Sequence, residues 1–137
     1  MAGQLVALTF SGVAHAVAHA LGVGWGVHHG TANAVALPWS IRFNRRDPAT
    51  AVRYGRCAVA FGLRPSSDPE AAALALAEAV EGLVADLGLP TRLGPLGLSP
   101  DALPRLATLA FADPSHKTNP VPLARVEDLT SALKALL

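Results

Sequence analysis

Residues 1–137 have the length of a single domain, but 51% of them are hydrophobic and only 15% are charged, which is unusually apolar for a domain in water. A formal net charge of +1 gives no electrostatic basis for nucleic-acid binding. The single cysteine excludes an internal disulfide and fits a reducing, cytoplasmic location. The surplus of apolar side chains predicts a surface covered by a second domain or by another subunit, including a homo-oligomer.

The first predicted helix covers roughly residues 4–21. Residues 5–27 contain no charged side chain and could be mistaken for a signal peptide or a membrane span. However, no Lys or Arg precedes this run, the first being Arg42, and histidines and glycines interrupt it. We therefore predict a buried core helix and no membrane partner.

A second helix should begin near Thr31 and continue to about Phe43. Pro38 lies inside it and should kink it, because proline removes one backbone hydrogen bond. Cys57 falls in the next helical pattern, where a buried, inert thiol is the better interpretation than a nucleophile. Five arginines in this region are predicted to cap helix ends or to form a solvated face, with phosphate binding as the less favoured alternative. They are Arg42, Arg45, Arg46, Arg53 and Arg56.

Three later helices should begin where a capping side chain precedes proline, which suits the first helical position. These pairs are Asp47-Pro48, Asp68-Pro69 and Ser99-Pro100. The longest helix, about residues 69–87, carries a single apolar stripe. The stripe consists of Leu76, Val80, Leu83, Val84 and Leu87. A weaker helix should cover about residues 99–112 and a last one should begin near residue 126. No segment alternates like a strand, so the sequence predicts an all-α bundle.

Four of the five histidines fall within fifteen residues of an otherwise apolar segment: His15, His19, His28 and His29. Histidines four apart lie on one face of a helix, and imidazole is a common metal ligand. A single helical histidine is more often a structural core residue. Several buried imidazoles are costly without partners, however, and a shared metal would satisfy them together. Glycines 22, 24, 26 and 30 should let the backbone between them bend. The nearest carboxylate along the chain is Asp47, so the metal site looks incomplete.

These motifs resemble the C-terminal helical domain of the iron-containing (group III) alcohol dehydrogenases, a family that includes lactaldehyde and maleylacetate reductases. The resemblance covers essentially the whole chain. It is carried by His-x3-His-x-Leu-Gly at 15–22 and by His-Gly-x-Ala-Asn-Ala-x-x-Leu-Pro at 29–38. Arg42-Phe43-Asn44, the segment 87–93, and Asp113 with Asn119-Pro120 extend it.

The resemblance implies that His15 and His29 are two of four ligands to a divalent iron, or to zinc. It implies that His19 faces the substrate and the nicotinamide and helps to relay a proton. The implied reaction is hydride transfer between NAD(P)H and a small alcohol or aldehyde, with the metal as a Lewis acid. His28 has no counterpart in the family pattern and is expected in a loop, whereas His116 is expected to be structural or at the rim of the cleft.

The sequence also departs from the family pattern. The implied N-terminal α/β domain, its glycine-rich dinucleotide loop and an Asp-x3-His motif for the other two ligands are not in this sequence. Val121 stands where an arginine is common. We therefore expect a C-terminal metal and substrate domain that is inactive without an N-terminal partner. Two alternatives remain open: a non-catalytic remnant that serves in oligomerisation, and a small metal protein whose site is completed across a symmetric interface.

Overall fold

The computed structural model describes residues 12–137, and this part of the chain contains α-helices and short 3-10 turns but no strand. The all-α prediction is therefore confirmed. The α-helices are α1 (Val13–Trp25), α2 (His29–Asn44), α3 (Pro48–Ala60), α4 (Pro69–Asp86), α5 (Leu103–Ala112) and α6 (Val126–Leu133). The 3-10 turns are Gly94–Leu96, Pro100–Ala102, Pro114–Thr118 and Lys134–Leu136. None of the helices in residues 12–137 is long and apolar enough to cross a bilayer.

The helix α1 differs in extent from the first predicted helix. Residues 4–11 of that prediction lie outside the described part of the chain. At its other end α1 continues to Trp25, because Gly22 and Gly24 are helical rather than bent. It stops at Gly26, whose φ of 68° is left-handed and whose N–H bonds to the carbonyl of Gly22. Of the four glycines expected to bend the backbone, Gly26 alone has a positive φ.

A helix begins where it was predicted when the capping side chain accepts a hydrogen bond from the first turn. The Asp47 carboxylate accepts a hydrogen bond from the Thr50 N–H at 2.8 Å, and the Asp68 carboxylate accepts from the Glu70 and Ala71 N–H groups. Ser99 makes no such bond. There a 3-10 turn precedes α5, because Pro104 has no N–H to bond to the carbonyl four residues earlier. The predicted helix therefore begins only at Leu103.

The helix α1 lies at the centre of the main core and packs against α2 and α5. Its inward residues are fully buried, and α2, α5 and α6 surround them with aliphatic side chains. The fully buried large residues of this core include Val17, Leu21, Leu106, Leu129 and Leu133. A smaller apolar cluster joins α2, α3 and α4 through Ile41, Ala58, Leu76 and Ala77. The packing thus fixes α1 against the start of α2.

One prediction about burial is wrong, that of Cys57, and the predicted apolar stripe of α4 is only partly buried. Along this stripe Leu76 and Val84 are buried, whereas Leu83 and Leu87 are exposed. The reason is that α4 makes its main contacts with α2 and α3 only. Cys57 is exposed as well. It precedes the buried Ala58 by one residue, which turns it about 100° around the α3 axis, away from the core.

Replacing Asp68 with alanine should lower the free energy of unfolding by about 1 kcal/mol, because two backbone N–H groups at the start of α4 lose their acceptor. Urea denaturation followed by circular dichroism measures this loss. Ser99→Ala is the matched control, since Ser99 caps nothing with its side chain, and it should change stability by less than about 0.5 kcal/mol. Equal losses in the two variants would contradict the assignment of the cap.

Candidate metal centre

Three imidazoles meet where α1 and α2 adjoin. His15 and His19 lie one turn apart on α1, and the turn at Gly26 returns the chain so that His29 opens α2 beside them. The ring centroid of His15 lies 4.6 Å from that of His19 and 5.0 Å from that of His29. One nitrogen of each ring falls within 4.8 Å of the others. The structure therefore brings together the three residues that the sequence singled out.

The environment of His15 favours the neutral ring. Burial lowers the pKa of His15, the neighbouring His19 and His29 lower it further, and Asp113 acts in the opposite direction. A neutral imidazole is the form that binds metals. His19 and His29 are exposed, so the cluster is open to solvent on one side.

Asp113 supplies a carboxylate that was not predicted at this site. Its Oδ2 lies 2.6 Å from Nδ1 of His19, whereas Asp47, the nearest carboxylate along the chain, caps α3. Burial opposes ionisation of Asp113, but hydrogen bonds from Ser115 and His19 outweigh it and lower its pKa to about 2. An ionised carboxylate only accepts hydrogen bonds, so Nδ1 of His19 is the donor, and in the neutral ring Nε2 keeps its lone pair.

Asp113 is itself held in place. It follows the last residue of α5, and its Oδ1 accepts from the Ser115 N–H at 2.8 Å. His116 donates from Nδ1 to the Asp113 carbonyl at 2.6 Å and stacks on Phe111. His116 is buried, in agreement with the expected structural role. A sequence signal for Asp113 existed, since an aspartate before a proline at a helix end is a capping pattern.

The remaining histidine, His28, is outside the cluster. It precedes α2 directly, and its Nδ1 accepts from the Gly30 N–H at 3.3 Å. Asn33 lies one turn into α2, where its amide nitrogen is 3.0 Å from Nε2 of His29 and donates to the His29 carbonyl. His28 thus caps the N-terminus of α2, and Asn33 lies against the His29 ring.

A buried pair of asparagines, Asn44 and Asn119, fixes the position of α1 relative to α2. The Asn119 side chain accepts from the Val13 N–H at 3.1 Å and from the Asn44 amide at 3.0 Å. It donates to Asn44 Oδ1 and to the Val121 carbonyl, both at 2.7 Å. Val13 begins α1 two residues before His15, and Asn44 ends α2. The pair therefore ties together the two helices that carry the imidazoles.

The predicted arginine patch is divided between two roles. Arg42 forms an ion pair with Glu81 of α4, and Glu81 also pairs with Arg92 at 2.9 Å. Arg46 stacks over the Phe43 ring at 4.2 Å. Arg42, Arg46 and Arg92 line a cavity of about 340 Å³ towards the end of α2 opposite His29. Arg42 is thus a tie between helices, while Arg53 and Arg56 are exposed as expected.

The chain is similar to known proteins along nearly its whole length. A family model described as "Fe-containing alcohol dehydrogenase family, C-terminal" matches residues 1–137. The 1-propanol dehydrogenase PduQ of Citrobacter freundii is 39% identical over 99% of the chain and 38% of its own length. For the 4-hydroxybutyrate dehydrogenase of Cupriavidus necator the identity is 36%, over 80% of the chain and 28% of that protein.

A solved structure shows the same fold. The crystal structure of a 1,3-propanediol oxidoreductase superimposes with a TM-score of 0.82 at 28% identity, covering 92% of this chain and 32% of that one. Lactaldehyde reductase of Escherichia coli strain K12 is 35% identical over 86% of the chain and 32% of its own length. The chain therefore spans about a third of the length of the relatives it matches.

Proposed function

The chain belongs to the Fe-containing alcohol dehydrogenase family as a C-terminal domain, and from this premise we propose that it supplies part of the metal centre of an NAD(P)-dependent alcohol dehydrogenase or aldehyde reductase. The observation that carries the proposal is the convergence of His15 and His29 across the junction of α1 and α2. The donor set fits a divalent iron or zinc, because neutral imidazoles bind both.

In this proposal His15 and His29 hold the ion from one side. An N-terminal α/β domain, in the same chain or as a separate subunit, contributes the remaining aspartate and histidine and binds the nicotinamide. The exposed side of the imidazole cluster supports this, since it leaves room for ligands from outside the chain. When bound, the ion would supply a Lewis acid at the substrate oxygen and the nicotinamide would donate or accept the hydride.

His19 carries the proton in this scheme. Its Nδ1–H is fixed by the ionised Asp113, so Nε2 is the atom that takes the hydroxyl proton in alcohol oxidation and returns it in aldehyde reduction. The charge of Asp113 stabilises the imidazolium while it holds the proton. The His19 side chain is 44% exposed, so the proton can pass to water.

Small alcohols and aldehydes are the proposed substrate class. The matched relatives are named for 1-propanol, 4-hydroxybutyrate and lactaldehyde, which are all small. The cytoplasm is the proposed compartment, because an exposed unpaired thiol such as Cys57 fits a reducing environment.

The direct test is to co-express the chain with the N-terminal domain of one of these relatives and to follow NADH and NADPH oxidation with propanal. We expect turnover with iron or zinc only when both parts are present. A complex that forms and retains metal but does not turn over would contradict the proposal.

A second candidate, a non-catalytic oligomerisation module, is favoured by the exposed apolar side chains. Val23 is 79% exposed and Leu87 is 67% exposed. A homodimer that dissociates when these two residues are changed to serine, together with no activity in any reconstituted pair, would support it. A site shared between two copies is not required, because His15 and His29 already meet within one chain.

Replacing His19 with alanine in the reconstituted enzyme should lower kcat by about 100-fold, since the proton carrier is lost. The metal content should stay the same, because His15 and His29 remain. Steady-state kinetics and metal analysis of the same sample measure both quantities. His28→Asn is the matched control and should keep full activity, since asparagine can still cap α2. Loss of metal in His19→Ala would contradict this division of roles.

A further inference from the structure

We propose that the cavity lined by Arg42, Arg46 and Arg92 binds a small organic phosphate, a molecule in which one phosphate group is joined to a planar or apolar part. The cavity lies beside the C-terminal half of α2. His29 and Arg42 are roughly 20 Å apart along the axis of α2, at a rise of about 1.5 Å per residue. The site shares no residue with the imidazole cluster and depends on neither the proposed metal nor the alcohol chemistry.

The cavity has the size of a small-molecule site. Its volume of about 340 Å³ is at the lower end of the roughly 300–1,000 Å³ that ligand pockets occupy. Its walls come from α2, from the segment that follows α4, and from Ala132 and Ala135 near the end of the chain. Because alanine side chains are short, the space beside α2 stays open.

The charge of the cavity favours a dianion. Three guanidinium groups line it, and within residues 12–137 Glu81 is the only carboxylate that forms an ion pair with any of them. Arg42 pairs with one oxygen of Glu81, and Arg92 pairs with the other at 2.9 Å. Three positive charges against one negative charge leave an excess of two. A phosphate monoester carries about −1.5 to −2 charges at pH 7, which matches this excess better than a single carboxylate does.

Arg46 has a place in the cavity that the ties between helices do not explain. The ion pairs of Glu81 give Arg42 and Arg92 a structural role, whereas Arg46 forms no ion pair in the described part of the chain. Its Nε donates to the Phe43 carbonyl at 3.0 Å, and its guanidinium lies 4.2 Å from the centroid of the Phe43 ring. These contacts hold the side chain while its Nη groups stay available. A guanidinium presents such groups in a fork that matches phosphate oxygens.

An aromatic wall beside these charges favours an organic phosphate over inorganic phosphate. Trp39 is buried, and its indole N–H donates to the Ala132 carbonyl at 3.0 Å, so the ring is held in place. The Phe43 ring stacks on it, with the centroids 5.6 Å apart and the planes inclined by 27°. Both residues line the cavity, and aromatic rings pack well against planar or apolar groups. The phosphate would lie at the guanidinium groups while the rest of the molecule covers this wall.

Isothermal titration calorimetry of the whole chain with phenyl phosphate tests the proposal. We expect one molecule per chain, bound at least about 10-fold more tightly than inorganic phosphate, which has no ring to bury. Succinate, a dianion without phosphate, should also bind more weakly than phenyl phosphate. Arg46→Gln should weaken the binding of phenyl phosphate by about 10- to 100-fold, because charged hydrogen bonds to the phosphate are lost.

Arg53→Gln is the matched control, since it removes an exposed arginine of the same patch that lies outside the cavity, and it should bind like the wild type. Ala135→Phe should weaken binding by more than about 10-fold, because a ring then takes up space at the opposite wall. Circular dichroism checks that each variant is folded. His29→Ala should bind phenyl phosphate like the wild type, so this test and that of the alcohol dehydrogenase proposal can fail separately.

Tryptophan fluorescence locates the bound molecule. The chain has two tryptophans, and of these only Trp39 lines the cavity. Phenyl phosphate should change the emission of Trp25→Phe, in which Trp39 is the remaining tryptophan, and should leave that of Trp39→Phe unchanged. Unchanged emission in Trp25→Phe, or wild-type affinity in Arg46→Gln, would overturn the proposal. Succinate or inorganic phosphate binding as tightly as phenyl phosphate would overturn it as well.

Discussion

Replacing His29 with alanine should abolish NAD(P)H oxidation by the chain combined with the N-terminal domain of a matched relative, with a loss of more than about 10,000-fold. In the proposed function the ion would act as a Lewis acid worth several kcal/mol at the substrate oxygen, and removing His29 would remove the one proposed ligand from α2. Initial rates and the metal content of the purified complex measure the effect. Iron or zinc should be lost together with the activity.

The neighbouring histidine provides the control. His28→Asn changes an adjacent imidazole of the same segment but keeps a side chain that caps α2. It should retain both metal and activity. Unchanged activity in His29→Ala would end the proposed function, provided that circular dichroism shows both variants to be folded.

Replacing Asn119 with aspartate should lower the free energy of unfolding by about 3–5 kcal/mol although the two side chains have the same shape. The amide of Asn119 donates to Asn44 Oδ1 and to the Val121 carbonyl, and an aspartate oxygen would face both of these acceptors. The site is buried, so the new charge has no water to stabilise it. Since a domain of this kind is stable by about 5–15 kcal/mol, this is a large part of the total.

Urea denaturation of the metal-free chain measures this loss. Asn33→Asp makes the same chemical change at a partly exposed position on α2 and should cost less than about 1 kcal/mol. Similar costs at the two positions would show that the buried asparagine pair does not hold α1 against α2. The alanine variants of Asn44 and Asn119 should also be non-additive, because the two residues share two hydrogen bonds.

The helices could be predicted from local chemistry, whereas their exposed faces could not. Asp47 and Asp68 marked the starts of α3 and α4 because both caps are satisfied within three residues. The start of α5 was missed because a second proline, Pro104, delays the α-helical bonds. Whether Cys57 or Leu87 is buried depends on which helices pack nearby, and local periodicity does not contain that information.

The candidate site, too, could be predicted only in part from the sequence. The grouping of His15, His19 and His29 followed from helical periodicity and a short connection, and the structure places the three rings together. Their role as ligands and proton carrier remains a prediction. Asp113 was not placed at the site, because it is separated from His19 by 94 positions and reaches it only when α5 packs on α1.

The turn that begins at Gly26 has a consequence for how the chain can vary. Surface loops commonly accept insertions, since their length rarely matters to the elements they connect. Here three residues separate Trp25 from His29, and the left-handed Gly26 fixes the direction in which the chain leaves α1. One extra residue in a connection this short would shift the start of α2 and so move His29 relative to the two rings on α1. The length of this connection is therefore fixed by geometry, and Val27 within it packs partly against the main core.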